Sequence, residues 1–261
     1  MKCMGMSALA TMILLAAMVV QDQPGTTIQN RRVEFANLVI GRVHRESGGT
    51  GTCFPVKRIR EDTPGKIEPK IRDRLILVTA RHVVHGIDYV EDPKTKVKTS
   101  KDVFNVQKIE LYQQEKLVFE TTEVKVLSTD EELDVAILEI RIDQKVDIPI
   151  LILSKKPPTA GAPCFAFGCQ AGMVPTFTYG YVCRPSRDDY DKKGSWITSA
   201  NVFPGASGGP VFDKYTGEVI GITSALAKAP FENPWGPPIL VPITHVHLFI
   251  DASKIREWLK L

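Results

Sequence analysis

The chain has 261 residues, of which 43% are hydrophobic and 24% are charged, the composition of a globular protein that buries a core rather than of a disordered chain. Its formal net charge is only +3, with 33 basic residues set against 30 acidic ones. Binding to nucleic acid requires a concentrated positive field, so this balance argues against a nucleic-acid partner.

The first 25 residues differ from the rest and predict an export signal. Lys2 precedes an apolar run at residues 6–20, and a polar stretch follows at 21–25. The run is shorter than the roughly 20 residues that cross a bilayer, which favours a cleaved signal peptide and an exported protein, either periplasmic or secreted. Because the cleavage site is poorly defined, the alternative is an uncleaved segment that attaches the chain to a membrane through residues 6–20.

From residue 26 onward, short β-branched stretches separated by turns predict an all-β barrel or sandwich. The first unit, residues 26–153, has six expected strands, at 38–44, 51–56, 75–80, 106–112, 123–127 and 135–140. A joint rich in proline and glycine at 154–161 then interrupts the pattern, and it predicts a crossover into a second unit, residues 154–261.

The second unit has six further expected strands, at 162–168, 177–183, 195–199, 210–213, 219–224 and 239–243. A short helix closes the chain, with Asp251 at its N-cap. Ile255, Trp258 and Leu259 fall on one face of this helix and are expected to anchor it in the core.

Two stretches of the first unit, 57–74 and 91–102, are dense in mixed charge. Their simplest interpretation is a pair of solvated surface loops. The alternative is that they flank a cleft and gate the entry of substrates.

The cysteines and histidines do not form a recognisable metal site. Four cysteines lie outside the predicted signal: Cys53, Cys164, Cys169 and Cys183. An even number permits disulfides in an exported protein without requiring them, and free thiols are the simpler interpretation. Four histidines lack a cysteine or acidic residue at ligand spacing: His44, His85, His245 and His247. The sequence therefore predicts no metal and no cofactor.

Three short motifs carry the predicted chemistry. Ser207 lies among glycines in the segment 204–210, a turn that exposes its hydroxyl and leaves backbone N–H groups unpaired. A serine hydroxyl becomes a good nucleophile only when an oriented base removes its proton. His82 and Asp134, each at the edge of an apolar stretch, supply the imidazole and the carboxylate for that role.

The order of these residues and the sequences around them resemble the chymotrypsin-like (trypsin-fold) serine endopeptidases, most closely the bacterial HtrA/Deg branch. The family motifs T-A-x-H-V, D-[LV]-A-[IVL]-L and P-G-x-S-G-G-P match this chain at every position. The resemblance covers nearly the whole chain after the N-terminal segment. It implies two six-stranded antiparallel β-barrels packed across a cleft, with a short C-terminal helix.

The resemblance also implies an activity, which is hydrolysis of peptide bonds in proteins or peptides without a cofactor. Ser207 would be the nucleophile, His82 the general base and acid, and Asp134 the group that orients the imidazole. The backbone N–H groups of Gly205 and Ser207 would form the oxyanion hole.

By the same resemblance, Ser224, Ala225 and Leu226 belong to the strand that pairs with the substrate backbone, and Asn201 lies at the floor of the primary pocket. Leu226 is expected to narrow this pocket, and Asn201 adds no charge to it. We therefore expect cleavage after small or medium apolar residues.

Two departures from the family limit which of its properties we expect in this chain. Ala206 stands where digestive relatives have an aspartate that pairs with a new N-terminus, so activity is not expected to depend on such a cut. HtrA-like enzymes commonly carry a PDZ module after the second barrel, and the sequence leaves no room for one. Chaperone or stress-sensing behaviour is therefore not expected.

The alternative function is a catalytically silent protease-fold module that binds proteins through the cleft. An esterase with a GxSxG elbow is excluded, because its serine precedes its aspartate and histidine along the chain. The sequence does not predict the natural substrate or the oligomeric state.

Overall fold

The computed structural model describes residues 38–61, 72–91, 98–142, 146–186, 195–231 and 239–259. The predicted signal, residues 1–25, lies outside the described residues. So do residues 62–71 and 92–97 within the two charged stretches.

The N-terminal half consists of nine strands and one short helix. They are β1 (Val39–His44), β2 (Thr50–Glu61), β3 (Arg72–Ala80), α1 (Arg81–Val84), β4 (His85–Glu91), β5 (Lys98–Phe104), β6 (Lys108–Gln113), β7 (Lys116–Thr121), β8 (Val124–Asp130) and β9 (Val135–Ile142). Seven strands form one antiparallel sheet in the order β7-β6-β1-β2-β3-β9-β8, while β4 and β5 pair with each other in a separate sheet. Strand β9, which lies between β3 and the edge strand β8, is buried almost throughout its length.

Two predictions for this half need correction. The predicted closed six-stranded barrel is not confirmed, because the described strands form a seven-stranded sheet with β7 and β8 at its edges. The charged stretches are also not only loops: residues 57–61 belong to β2 and 72–74 to β3, and residues 98–102 begin β5. Backbone pairing between neighbouring strands satisfies their polar groups, and a strand can direct every second side chain toward water.

The C-terminal half forms the predicted closed barrel of six strands. They are β10 (Pro163–Gly168), β11 (Thr176–Pro185), β12 (Ser195–Thr198), β13 (Pro210–Asp213), β14 (Val219–Phe231) and β15 (Ile239–Asp251). Around the barrel their order is β10-β11-β12-β15-β14-β13.

The last helix, α2 (Ala252–Leu259), follows β15 directly. The carboxylate of Asp251 accepts hydrogen bonds from the Ser253 N–H (2.8 Å) and hydroxyl (2.7 Å), the expected N-cap arrangement. Ile255 is fully buried, and Trp258 and Leu259 pack against the core. Within the described residues, no helix has the length and apolar character needed to cross a membrane.

One apolar cluster joins the two halves. Phe54 and Val78 from the sheet pack in the same cluster as Phe212 and Ile222 from the barrel, and all four are at most 1% exposed. Close-packed interiors of this kind resist relative movement. The cluster therefore fixes how residues from one half meet residues from the other.

Candidate active site

His82 and Asp134 meet because two neighbouring strands end at the same place. Ala80, the last residue of β3, pairs with Val135, the first residue of β9. The backbone N–H of Arg81 then donates to the Asp134 carbonyl at 2.9 Å, which continues the pairing one step past the strands. This register places residue 82 beside residue 134, although 52 positions separate them in sequence.

The Asp134 carboxylate holds the His82 ring through two hydrogen bonds. Its Oδ2 lies 2.8 Å from His82 Nδ1, and its Oδ1 accepts the His82 backbone N–H at 3.1 Å. The Asp134 side chain is 4% exposed, whereas the His82 side chain is 44% exposed. The buried carboxylate therefore orients an imidazole whose opposite edge remains accessible to a reactant. Asp134 has φ +53°, a left-handed conformation that aspartate adopts more readily than most residues.

Ser207 is positioned by the pairing of its turn with β14. Pro210 at the start of β13 pairs with Ile222. The Gly208 N–H donates to the Thr223 carbonyl at 2.7 Å, and the Thr223 N–H donates to the Gly209 carbonyl at 2.8 Å. The turn thus runs antiparallel to the next residues of β14, which brings Ser207 to Ser224.

Ser224 connects the serine turn to the aspartate. The Ser207 hydroxyl donates to the Ser224 backbone carbonyl at 3.3 Å, and the Ser224 hydroxyl donates to Asp134 Oδ2 at 2.6 Å. The structure therefore brings His82, Asp134 and Ser207 into one cluster. In the described part of the chain, the partner of the Ser207 hydroxyl is this carbonyl and not the His82 ring.

The backbone of the turn has two free donors. Neither the Gly205 N–H nor the Ser207 N–H donates to an acceptor among the described residues. Gly205 has φ +99°, a conformation that residues with a Cβ rarely adopt, and a Cβ at this position would come 2.4 Å from the Cys169 carbonyl oxygen. Glycine is therefore required at 205.

The predicted substrate-binding residues are described to different extents. The Asn201 backbone carbonyl accepts a hydrogen bond from the Thr178 hydroxyl at 2.5 Å, and Ser224 is buried beside Asp134. Ala225 and Leu226 lie in β14, where they pair with Leu248 and His247 of β15. Their side chains fall outside what the structure describes, so the predicted narrowing of the pocket by Leu226 stays a prediction.

The four cysteines outside the predicted signal are free thiols. Burial raises the pKa of Cys164 to about 11 and that of Cys169 to about 12, and it also raises the pKa of Cys53 well above its ordinary value. Thiols in this state are poor nucleophiles and poor metal ligands at neutral pH. Among the described residues, no group of three histidine, cysteine, aspartate or glutamate side chains is arranged to hold a metal ion.

Comparison with known families agrees with this geometry. The sequence profile of the trypsin-like peptidase domain matches residues 49–222, which contain His82, Asp134 and Ser207. The chain belongs to the trypsin-like peptidase family. HtrA-type proteases are among the relatives of this trypsin-like peptidase, so the resemblance to the HtrA/Deg branch is confirmed.

Three similar proteins illustrate these relationships. Protease Do-like 5 from the chloroplast of Arabidopsis thaliana is 32% identical over 108 residues, which are 40% of this chain and 33% of that protein. The chain thus spans about a third of the relative's length in this match.

Two solved structures share the fold of the trypsin-like peptidase. The inactive Ser343Ala mutant of Rv3671c from M. tuberculosis has a TM-score of 0.56 at 19% identity, with 92% of this chain and 94% of that chain covered. The HtrA-type protease AlgW with a tripeptide has a TM-score of 0.56 at 19% identity, with 90% of this chain and 63% of that chain covered.

Sequence reasoning missed two roles near Ser207. Ser224 was predicted as a substrate contact, and its hydrogen bond to Asp134 was not anticipated. Thr52 received no role, yet its N–H donates to the Ser207 carbonyl at 2.8 Å and its hydroxyl to the Gly205 carbonyl at 2.7 Å. No local motif marks either residue, because both contacts depend on how the two halves meet.

Proposed function

We propose that this trypsin-like peptidase is an active serine endopeptidase that hydrolyses peptide bonds through an acyl-enzyme on Ser207. His82 acts as general base and then general acid, and Asp134 holds the correct imidazole tautomer. Membership of a peptidase family supports protein or peptide substrates.

The proposal rests on one observation, the continuous set of contacts that connects His82 to Ser207. His82 Nδ1 lies 2.8 Å from Asp134 Oδ2, Ser224 donates to the same oxygen, and Ser207 donates to the carbonyl of Ser224. A hydroxyl, an imidazole and a buried carboxylate in this arrangement are the parts required for acyl transfer.

The first step would be a rotation of the Ser207 hydroxyl from the Ser224 carbonyl toward His82 Nε2. Catalytic hydrogen bonds are often long or misaligned without substrate and tighten in the complex. The hydroxyl would then attack the scissile carbonyl while His82 takes its proton, and the Gly205 and Ser207 N–H groups would stabilise the oxyanion. His82 would return the proton to the leaving amine, and water would repeat the sequence to release the acid.

A substrate would bind as an added strand along β14. The pairing of β13 with β14 ends at Ile222. Beyond Thr223, the described part of β14 pairs with β15 alone. This leaves an edge at Ser224–Leu226 without a second strand partner among the described residues, and an extended peptide satisfies such an edge with its own backbone. We keep the expectation of small or medium apolar residues at the cleaved bond, with Asn201 and Leu226 shaping the pocket.

A second candidate function has one observation in its favour. The Ser207 hydroxyl is hydrogen-bonded to a carbonyl and not to its base. A protein locked in this arrangement would bind peptides in the cleft without cleaving them.

Labelling with a fluorophosphonate separates the two functions. We expect the wild-type chain to form a stable adduct on Ser207 and the Ser207→Ala variant to form none, with turnover of a peptide substrate reduced about 10⁴- to 10⁶-fold. Ser128→Ala, at an exposed position of β8, is the matched control and should label like the wild type. Peptide binding by a wild-type chain that resists labelling would favour the silent module.

The wider organisation belongs to the same proposal. Residues 1–25 would direct export, with membrane attachment through residues 6–20 if they are retained, and residues 26–153 and 154–261 would be the two units that form the cleft. Sequencing the N-terminus of the protein recovered from outside the cytoplasm tests whether the segment is removed.

A further inference from the structure

Three carbonyl groups of the turn around Ser207 are held by donors from outside the turn. The Pro204 carbonyl accepts the Ala171 N–H at 2.7 Å. The Gly205 carbonyl accepts the Thr52 hydroxyl at 2.7 Å, and the Ser207 carbonyl accepts the Thr52 N–H at 2.8 Å. Thr52 thus supplies two of these three donors, and it does so from β2 in the opposite half of the molecule.

Fixing a carbonyl also fixes the N–H on the other side of the same peptide, because a trans peptide is planar and the two groups point in opposite directions. The two free donors, on Gly205 and Ser207, belong to the peptides on either side of the Gly205–Ala206 peptide. The Thr52 hydroxyl holds this middle peptide through the Gly205 carbonyl. The Ala206 N–H of the same peptide donates to the Phe203 carbonyl at 3.0 Å. Together these bonds restrain ψ of Gly205 and φ of Ala206, the torsion angles that set how the two peptides carrying the free N–H groups are oriented relative to each other.

The Thr52 hydroxyl has a defined direction because its acceptor side is occupied. It accepts the Cys169 N–H at 2.9 Å, so its single proton is left for the Gly205 carbonyl. Cys169 leads into the 3-10 turn Gln170–Gly172, which contains Ala171 at φ +51°. The same hydroxyl therefore connects the segment that holds Pro204 to the segment that contains Ser207.

Burial makes these bonds costly to lose. Thr52 is fully buried, and its own carbonyl accepts the Thr79 hydroxyl at 2.6 Å. A buried carbonyl left without a donor raises the free energy of the folded state, and its peptide can lower that free energy by rotating toward another donor. Valine at position 52 would have nearly the same shape as threonine but would leave both the Gly205 carbonyl and the Cys169 N–H without that partner.

We propose that Thr52 is a positioning residue for catalysis, whose hydroxyl holds the backbone around Gly205 and Ser207 in the arrangement that binds the oxyanion. The inference rests on the proposed peptidase function. It assigns to the N-terminal half a direct part in shaping an oxyanion hole that lies in the C-terminal half.

The test compares Thr52→Val with Thr52→Ser in the full chain. With a fluorogenic peptide that the wild type cleaves after an apolar residue, we expect the valine variant to lose about 10- to 100-fold in kcat, since removing a direct oxyanion donor costs about 10²- to 10³-fold. KM should change less than about twofold, because the hydroxyl acts on transition-state binding. Serine retains the hydroxyl and should keep kcat within about threefold.

A transition-state analogue distinguishes positioning from simple structural support. A peptide boronic acid of the same sequence forms a tetrahedral adduct on serine, so its affinity should fall in the valine variant by about the same factor as kcat. The rate of fluorophosphonate labelling should fall in parallel. If the valine variant does not fold, Thr52→Ala lacks the same hydroxyl, fills less space and serves in the same comparison.

Several results would overturn the inference. These are a loss of kcat smaller than tenfold without the hydroxyl, an equal loss in the serine variant, or a loss of kcat with unchanged boronic acid affinity. Failure of the wild-type chain to label with fluorophosphonate would instead reject the peptidase function itself. Wild-type labelling and turnover together with a fully active valine variant would reject only the role of Thr52.

Discussion

At the scale of single residues, the hydroxyl of Ser224 has a measurable part in the proposed chemistry. This hydroxyl donates to Asp134 Oδ2 at 2.6 Å. Because Asp134 is only 3% exposed, water cannot readily replace the Ser224 hydroxyl as a donor to this oxygen. A hydrogen bond to a charged group contributes about 1.5 to 3 kcal/mol. We expect Ser224→Ala to reduce kcat/KM at least about tenfold, because the carboxylate loses a partner that fixes its position beside His82.

Steady-state kinetics on the same fluorogenic peptide measure this effect. Ser128→Ala is again the control, since Ser128 is an exposed residue that lies outside the three motifs. An unchanged kcat/KM in the Ser224 variant would show that the Asp134 carboxylate keeps its position beside His82 without the Ser224 hydroxyl.

The role of a residue could be predicted where a short sequence motif around it indicates that role, and not where the role depends on a contact with a distant part of the chain. His82, Asp134 and Ser207 each lie in a short motif, and hydrogen bonds connect Asp134 to His82 and, through Ser224, to Ser207. Ser224 meets Asp134 across 90 positions, and Thr52 meets Gly205 across 153. A threonine inside a strand looks like any other β-branched residue, so only the packing of the two halves reveals its hydroxyl as a donor.

At the scale of elements, strand positions followed from apolar alternation, and strand partners did not. The barrel strands β10 to β15 begin within one residue of their predicted positions, although β14 and β15 extend further than expected. The pair β4–β5 and the edge strand β7 were missed. Their sequences are charged and carry little alternation, so they lack the pattern from which a strand is predicted.

The pairing of β1 with β6 places a polar cluster beside the 3-10 turn Gln170–Gly172. The Ala171 N–H of this turn donates to the Pro204 carbonyl. The Arg42 guanidinium donates to the Glu110 carboxylate and to the Gly172 carbonyl. Burial opposes the ionised form of Glu110, but hydrogen bonds from Lys108, His44, Arg42 and Tyr112 together outweigh it and lower the pKa of this carboxyl well below its ordinary 4.5. The ionised carboxylate therefore stabilises the folded chain.

The pH dependence of this contribution has a definite sign. Because the pKa of Glu110 is lower in the folded state, the stabilisation is complete above about pH 5 and is lost progressively as pH falls below 4.5, where the unfolded chain takes up the proton first. We expect Glu110→Gln to lower the free energy of unfolding by about 1 to 3 kcal/mol at pH 7. The difference from the wild type should shrink toward pH 3.

Urea unfolding at pH 7 and at pH 3 measures both differences. Glu115→Gln, in the exposed turn between β6 and β7, is the control for removal of one surface charge and should be within about 0.5 kcal/mol of the wild type at pH 7. A Glu110 variant with the same deficit at both pH values would contradict ionisation as the source of the stabilisation.

At the scale of the whole molecule, packing and buried hydrogen bonds join the two halves without any disulfide among the described residues. Phe54 and Ile222 belong to one shared cluster, and the Thr52 and Ser224 bonds cross the same boundary. The hydrogen-bonded cluster of His82, Asp134, Ser224 and Ser207 therefore depends on the integrity of the core. Conditions that loosen the core should expose the buried thiols and disturb the active site together.

Alkylation of the cysteines tests this dependence. Reaction requires both access and the thiolate form, and burial denies Cys53, Cys164 and Cys169 access and raises the pKa of each. At pH 8 we expect iodoacetamide to modify the exposed Cys183 quickly and the three buried cysteines only as fast as the protein opens. Mass spectrometry of peptides over time measures each site separately. The control is Cys183→Ser, which should abolish the fast reaction within residues 38–259. Rapid modification of Cys169 in the folded, active protein would mean that the two halves separate more easily than their shared core implies.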